Sequence, residues 1–265
     1  MIAASAYNRA MTYCVAAAVD AGLVFVSDSR TNAGVDQIST YSKMHRFHLG
    51  RNRFFVVLSA GNLATTQGVL AEIERDIEES ARRGLNHAEN LNQAAEYIGA
   101  LSVAEQNKHQ QTRQDKDFVP EASFILGGQI GEDAPGIVHI YPEGNFVRAS
   151  AATPYLQIGE VKYGRPILDR IIDRSTPLNA ALMCALVSMD STMRSSAAVG
   201  PPIEYLIQPV GVFGLGLYNS LAEDDEYLVE LRRSWATNVR AAFDALPEAP
   251  GIGEAPAIVA RIGTP

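Results

Sequence analysis

Three residues in the first part of the chain have side chains that could together carry out nucleophilic catalysis: Thr12, Asp28 and Lys43. A hydroxyl attacks slowly unless a nearby base takes its proton. An N-terminal threonine carries such a base itself, because an α-amino group has a pKa of about 7.7–8.0. A lysine ammonium close by would favour deprotonation of the hydroxyl and keep the amine neutral, and an aspartate would orient the lysine. We therefore expect loss of Asp28 or Lys43 to reduce rate more than binding.

The elements around these residues are predicted to bring them together. Apolar, valine-containing runs at Tyr13–Val19 and Leu23–Val26 flank the segment Asp20-Ala21-Gly22, which is typical of a β-hairpin turn. The hairpin would return Asp28 to the start of the first strand. A loop then leads to Lys43, which would lie beside both.

The same residues resemble those of a known family, the proteasome β-type threonine hydrolases. The resemblance rests on Thr12, Asp28-Ser29-Arg30 and Ser42-Lys43. The sequence of the first hairpin is most similar to that of the bacterial Anbu branch, which is related to HslV. Further similar stretches are YLQIGEVKYGRPILDR (Tyr155–Arg170), SMDSTMRS (Ser188–Ser195) and VGPP (Val199–Pro202). The likeness covers roughly residues 11 to 245.

Membership of this family implies an α+β fold, the four-layer αββα sandwich of N-terminal-nucleophile (Ntn) hydrolases, here over residues 12–246. It also implies a threonine-type peptidase that cleaves peptides or unfolded proteins through an acyl-enzyme on Thr12. Such proteins self-associate into a closed ring or an open helical stack, and no metal or organic cofactor is implied. HslV works with an ATP-driven unfoldase, but nothing in this chain indicates a docking site for one.

The resemblance assigns two further residues to the site. Gly61, in Ser59-Ala60-Gly61, is expected to donate its backbone N–H to the oxyanion, since glycine admits close approach and a helix N-terminus offers free N–H groups. The alternative is a plain strand-to-helix turn. Glu160 follows Ile158-Gly159 where proteasome subunits have a serine, and it either hydrogen-bonds the Thr12 amine or is a surface carboxylate.

A second departure from the family pattern lies at residues 195–200. Proteasome subunits carry Asp-x-x-Ser at this bend, whereas the chain has Ser195 in the aspartate position and Ala198 in the serine position. Loss of that hydroxyl puts the accessory polar network in doubt. Asp190 and Arg194 just upstream are interpreted as a helix-end ion pair, with a role in the site as the alternative.

The remaining hydrophobic patterns alternate between strands and helices. An amphipathic helix is predicted from the N-cap Asn62 to a stop at Gly84. The other predicted helices cover about Leu91–Gln106, Pro166–Asp173, Leu178–Met193 and Glu226–Leu246, and the other strands are Met44–Leu49, Phe54–Ser59, Ser123–Ile130, Gly136–Tyr141, Phe146–Ser150, Tyr155–Ile158 and Ile203–Ile207. The segment Asn107–Asp117 is predicted as a surface loop or frayed helix end, and Gly211–Leu217 as a strand or loop. This order predicts two stacked sheets with helices on both outer faces.

Composition favours a soluble cytoplasmic protein. The 265 residues are 47% apolar and 20% charged, and the net charge of −8 argues against a nucleic-acid face. Cys14 and Cys184 fit reduced, buried thiols better than a disulfide framework. No apolar run reaches the ~18 residues of a membrane span. The five histidines show no metal-ligand spacing.

Two terminal segments flank the predicted domain. Residues 1–11 are interpreted as an upstream start or a propeptide. Translation from Met11 is preferred, because proteasome propeptides usually end in Gly, and we expect the native protein to begin at Thr12. Residues 247–265 form a tail rich in Pro, Gly and Ala that is flexible or docks on a neighbour.

Two other functions remain open at this point. The first is an amidase on the same fold that acts on a small amide metabolite. The second is a shell protein whose catalysis is lost or dormant, for which Ala198 and residues 1–11 are the reasons. The sequence does not reveal the natural substrate or the number of subunits.

Overall fold

The computed structural model describes residues 12–32, 38–111 and 119–248 of the chain. The predicted upstream segment 1–11 and residues 249–265 of the predicted tail lie outside these ranges, as do residues 112–117 of the predicted loop. Within the described ranges the strands are β1 Tyr13–Val19, β2 Gly22–Asp28, β3 Arg30–Asn32, β4 Ile38–Thr40, β5 Met44–His48, β6 Arg53–Gly61, β7 Ala122–Ile130, β8 Gly136–Ile140, β9 Phe146–Arg148, β10 Tyr155–Gly159, β11 Ile203–Pro209 and β12 Leu217–Leu221. The helices are α1 Leu63–Glu78, α2 Leu91–Gln111, α3 Val161–Ile171, α4 Leu178–Ser195 and α5 Glu226–Asp244.

Two five-stranded antiparallel sheets form the centre of the molecule. The first sheet has the order β10-β1-β2-β11-β12, and the second has the order β5-β6-β7-β8-β9. The strands β3 and β4 form a separate two-stranded ribbon. Because β1 and β2 are buried along their whole length, their sequences are nearly continuous apolar runs rather than alternating apolar and polar residues.

Three apolar cores separate four layers. The central core lies between the sheets and includes Phe25 of the first sheet and Phe54 and Ile125 of the second. A second core joins the first sheet to α3 and α4, and a third joins the second sheet to α1 and α2. The predicted four-layer αββα sandwich is therefore confirmed.

The register of the first sheet brings several chain segments to one end. Tyr13 pairs with Gly159 of β10, and Asp28 pairs with Ile203 of β11. Since β1 and β2 form a hairpin with Cys14 opposite Ser27, the start of β1 and the end of β2 are adjacent. Thr12 precedes β1 directly, so it lies at this end of the sheet.

Two predicted helix ends are wrong. The first helix ends at Glu78, not at Gly84, because Glu79 caps it and Ser80 adopts a left-handed φ of 50°. The helix predicted to start at Pro166 starts at Val161 and contains the proline. Proline is favoured in the first turn of a helix, so the sequence pattern placed the start at Pro166, although this proline lies in the second turn.

Some elements are longer than predicted or were missed. The second helix continues to Gln111 through residues predicted as loop, and Lys108 forms an ion pair with Glu105 one turn earlier. The ribbon β3–β4 was predicted as a loop, since strands of three residues show no measurable period. Much of the edge strand β12 is exposed and also lacks a clear apolar alternation.

Candidate active site

The hydroxyl of Thr12 is fixed by a carboxylate. Thr12 lies just before β1 and is only 3% exposed. Its Oγ1 donates a hydrogen bond of 2.5 Å to Oδ1 of Asp28, the last residue of β2. The antiparallel hairpin thus places the predicted nucleophile and the predicted aspartate in direct contact.

Asp28 is completely buried and accepts several hydrogen bonds. Besides Thr12, its Oδ1 accepts from the Tyr13 N–H at 3.0 Å and from Lys43 Nζ at 2.7 Å. Its Oδ2 accepts from the Gly200 N–H at 3.4 Å. A buried carboxylate is costly unless it is paired and hydrogen-bonded, and these donors supply both conditions.

Lys43 supplies the cation of the site. It precedes β5 in the second sheet, where the Ser59 N–H donates to its carbonyl at 3.0 Å. Its Nζ also donates to the Arg30 carbonyl at 2.7 Å. The ammonium and the Thr12 hydroxyl therefore bind the same oxygen of Asp28, so the structure brings together the three side chains selected from the sequence.

The junction between β10 and α3 fixes the backbone of Thr12. The Glu160 N–H donates to the Thr12 carbonyl at 2.8 Å. Gly159 adopts a φ of +84°, and a Cβ atom built on it would lie 2.0 Å from that carbonyl oxygen. Glycine is thus required here both by its left-handed φ and by close approach.

The two residues assigned by resemblance have different surroundings. The Glu160 side chain has no hydrogen bond or ion pair with any residue in the described ranges, so only its backbone contacts Thr12. Gly61 ends β6 immediately before Asn62, the N-cap of α1. Its φ is +120°, and an added Cβ would lie 2.4 Å from the Glu121 carbonyl, so the local backbone alone requires glycine.

The bend after α4 contributes backbone groups to the site. Arg30 Nη1 donates to the Ala197 carbonyl at 2.8 Å, and a Cβ on Gly200 would lie 2.3 Å from the Arg30 guanidinium carbon. Arg30 in turn accepts from Lys43 through its own carbonyl. The bend that lacks the family's serine hydroxyl, at the buried Ala198, therefore still reaches Asp28 and Arg30 through its backbone.

Sequence reasoning missed these backbone donors. The N–H groups of Tyr13 and Gly200 contact Asp28, and that of Glu160 contacts Thr12. Every residue type except proline offers a backbone N–H, so the sequence carries no signal for these donors. The role of Gly159 could have been recognised, because a glycine at the end of a strand often marks a special backbone conformation.

The two cysteines and the Asp190–Arg194 pair have structural rather than catalytic surroundings. Cys14 and Cys184 are buried free thiols, and burial raises the pKa of Cys184 to about 12. The Asp190–Arg194 ion pair is present, and Arg232 of α5 joins it at 2.9 Å. Among the residues that the structure describes, no cluster of histidine, cysteine or carboxylate side chains could hold a metal ion. No helix in the same ranges combines the length and apolar character needed to cross a bilayer.

The chemistry of this arrangement depends on the Thr12 nitrogen. In the 265-residue chain that nitrogen belongs to the Met11–Thr12 peptide bond. An amide nitrogen cannot take a proton at neutral pH, whereas the α-amine of a chain that starts at Thr12 can. The same geometry can therefore provide a complete nucleophile-and-base pair or only a buried hydroxyl.

Comparison with solved structures gives close matches over nearly the whole chain. The structure of "Anbu (ancestral beta-subunit) from Yersinia bercovieri" is 41% identical, with 90% of this chain and 98% of that chain covered and a TM-score of 0.83. The structure "Helical Assembly of the Anbu Complex from Pseudomonas aeruginosa" is 39% identical, with 91% and 99% covered and a TM-score of 0.84. "Anbu from Hyphomicrobium sp. strain MC1" is 38% identical over 90% and 99%, with a TM-score of 0.81. No protein-family model and no curated protein matches the chain.

Proposed function

The chain belongs to the Anbu family of proteasome-related proteins, and on that premise we propose that it is a threonine hydrolase that cleaves amide bonds in peptides or unfolded proteins. One observation carries the proposal: the Thr12 hydroxyl and the Lys43 ammonium share a single oxygen of the buried Asp28. A structural ion pair does not need a threonine hydroxyl as a third member. A nucleophilic hydroxyl is activated by a neighbouring base or cation, and here the carboxylate holds such a cation beside the hydroxyl.

In the proposed reaction the chain starts at Thr12, and its free α-amine takes the proton from Oγ1. Oγ1 then forms a bond to the substrate carbonyl carbon, and the π electrons of the carbonyl group move onto the carbonyl oxygen. Lys43 stabilises the alkoxide character of Oγ1 as the proton leaves, and Asp28 keeps the ammonium in place. The Gly61 N–H is proposed to donate to the oxyanion.

Collapse of this intermediate breaks the carbon–nitrogen bond. The leaving amine takes the proton that the Thr12 amine holds, and an ester remains on Oγ1. A water molecule then attacks the ester carbonyl carbon while the same amine takes one of its protons. The bond between that carbon and Oγ1 breaks, Oγ1 takes the proton back from the amine, and the carboxylic acid product departs. The cycle returns Thr12 to its starting form without any other reactant.

Self-association is part of the proposal. A protein that is 39% identical to this one carries the description of a helical assembly. In the present chain α5 buries only Leu228, while Phe243 of this helix and Leu246 just after it are more than 60% exposed. Large apolar side chains at such exposure favour a neighbouring subunit as their contact. We propose a homo-oligomer in the cytoplasm, in which neighbouring copies cover this helix.

The test compares chains that begin at Thr12 and carry either the native residue or Thr12→Ala. Unfolded casein and fluorogenic peptides serve as substrates, and circular dichroism confirms the fold of both. We expect the native chain to cleave them and the variant to lose at least about 100-fold in kcat. Equal activity of the two chains would overturn the proposal.

A catalytically dormant shell protein is the second candidate. The peptide bond between Met11 and Thr12 favours it, because a chain that keeps residues 1–11 has no amine at the site. The buried Ala198 in place of a hydroxyl also favours it. Native protein that keeps Met11, together with inactivity of chains that start at Thr12, would support the shell.

A further inference from the structure

A second buried carboxylate lies beside the site without taking part in it. Glu204 belongs to β11 and is only 6% exposed. Its neighbour two residues along, Leu206, packs in the core between the two sheets, so Glu204 lies on the same inner face. No arginine, lysine or histidine within the described ranges forms an ion pair with it.

Three hydroxyl groups bind this carboxylate. Ser29 Oγ donates to Oε2 at 3.1 Å, and Ser42 Oγ lies 2.8 Å from Oε2 and 3.0 Å from Oε1. The Tyr218 hydroxyl donates to Oε1 at 2.6 Å. Burial and this bond raise the pKa of Tyr218 to about 12, so it remains a neutral donor at physiological pH.

The two serines are the direct sequence neighbours of the two charged residues of the site. Ser29 follows Asp28 at the end of β2, in the first sheet. Ser42 precedes Lys43, which leads into β5 of the second sheet. The carboxylate of Glu204 therefore links the two segments that carry Asp28 and Lys43, which come from opposite sheets.

Nearby backbone bonds depend on the same alignment. The Tyr41 N–H donates to the Ser29 carbonyl at 2.9 Å, and the Lys43 ammonium donates to the Arg30 carbonyl. A shift between the two segments would change all of these distances together. Because both serine hydroxyls donate to the one side chain of Glu204, that side chain links the two segments directly.

We propose that Glu204 is a positioning residue, which sets the distance between Lys43 and Asp28 by binding Ser42 and Ser29. It does not touch Thr12 or any reacting atom. Its effect on rate rests on the proposed hydrolase function, whereas its effect on the geometry of the two segments does not. The experiment therefore measures both.

The test uses chains that begin at Thr12 with Glu204→Ala and Glu204→Gln. Alanine removes the acceptor, whereas glutamine keeps an acceptor oxygen and nearly the same shape. We expect Glu204→Ala to lower kcat by about 10- to 100-fold, because misplacement of catalytic groups by about 1 Å has effects of this size. KM should change less than about threefold, and Glu204→Gln should recover most of kcat.

Glu105 provides a matched control. It is also a glutamate, is 7% exposed, and lies in α2 in the outer helix layer, where it pairs with Lys108. Glu105→Ala should cost stability without the selective loss of kcat. The proposal would be overturned if Glu204→Gln lost as much kcat as Glu204→Ala. The negative charge of Glu204, and not its linking of the two serines, would then determine the rate.

Hydrogen exchange measures the geometry without requiring activity. Peptides that contain the Tyr41 and Ser59 amides report the bonds to the Ser29 and Lys43 carbonyls. We expect faster exchange of these peptides in Glu204→Ala but not in Glu105→Ala. If the native chain lacks activity, this result still supports the positioning role, and unchanged exchange overturns it. Should Glu204→Ala fail to fold, Ser42→Ala takes its place in both measurements with the same expected direction.

Discussion

The carboxylate of Asp28 joins Thr12 and Lys43 in the candidate site. Its Oδ1 binds the nucleophile, a backbone N–H and the ammonium, while Oδ2 is 3.4 Å from the Gly200 nitrogen. Because Asp28 and Lys43 are both buried, each stabilises the charge of the other. Stability and reactivity are thus coupled through the same ion pair.

Mutation can separate the effect of this ion pair on stability from its effect on activity. Lys43→Met should lower kcat by at least about 100-fold and should also destabilise the fold by about 3–5 kcal/mol, since Asp28 would remain buried without a cation. The double variant Asp28→Asn/Lys43→Met removes both charges. We expect it to regain most of the stability but none of the activity, as measured by urea unfolding and peptide hydrolysis of chains that start at Thr12. Activity that returns with stability would contradict a catalytic role for the pair.

At this scale the sequence was informative about side chains and silent about backbone groups. Thr12, Asp28 and Lys43 stood out because their types and spacing match a chemical task. Gly200 and Tyr13 contribute N–H groups, which every residue except proline possesses. Glu204 could not be selected either, since its partners Ser29 and Ser42 are more than 160 positions away along the chain.

The element that most directly controls Thr12 is the end of β10. There Gly159 combines a φ of +84° with a Cβ position 2.0 Å from the Thr12 carbonyl oxygen. Substitution would either strain the turn or push the start of β1 away from Asp28. The position therefore affects the site without contributing a side chain.

Comparison of two glycine variants isolates the steric part of this effect. Gly131 also has a positive φ, +55°, but no atom within 4 Å of an added Cβ. Gly131→Ala should cost only the left-handed conformation, about 1–2 kcal/mol. Gly159→Ala should cost about 1–3 kcal/mol more and should also reduce kcat, as measured by urea unfolding and kinetics. Equal costs for the two variants would contradict the close packing of this turn on Thr12.

Strand β8 carries a histidine that makes the fold sensitive to acid. Burial lowers the pKa of His139 from 6.5 to about 4, and its ring lies 4.2 Å from that of Tyr141. Between these pH values the unfolded chain binds more protons than the folded one, so stability falls as pH decreases from about 6.5 towards 4. His139→Phe keeps an aromatic ring but cannot titrate. We expect its free energy of unfolding to fall less over this window than that of the native chain, and equal slopes would contradict the assignment.

Among the elements, segments with a continuous apolar pattern were predicted, whereas the end of α1 and the ribbon β3–β4 were not. The hairpin β1–β2 and helix α4 follow continuous apolar patterns that local sequence reveals. The end of α1 at Glu78 depends on the backbone of Ser80, a residue that rarely takes positive φ. The ribbon β3–β4 depends on pairing rather than on hydrophobic pattern.

For the whole molecule, the layer architecture followed from the order of elements, whereas assembly does not follow from one chain. Two sheets with helices on their outer faces were predicted and are present. Helix α5 buries only Leu228 among its residues, and in the proposed oligomer neighbouring copies would cover its exposed apolar side chains. Whether the Thr12 nitrogen is a free amine or part of a peptide bond likewise depends on where the mature chain begins and not on the fold.

The proposed mechanism requires the hydroxyl and a free amine of Thr12 to act together beside Lys43 and Asp28. The most direct measurement treats the assembled protein with an electrophilic peptide that reacts with a hydroxyl and an adjacent amine, followed by intact and fragment mass spectrometry. Protein that begins at Thr12 should carry one adduct per chain on Thr12, and protein that retains residues 1–11 should carry none. The absence of an adduct on chains shown to begin at Thr12, or its location on another residue, would contradict the account.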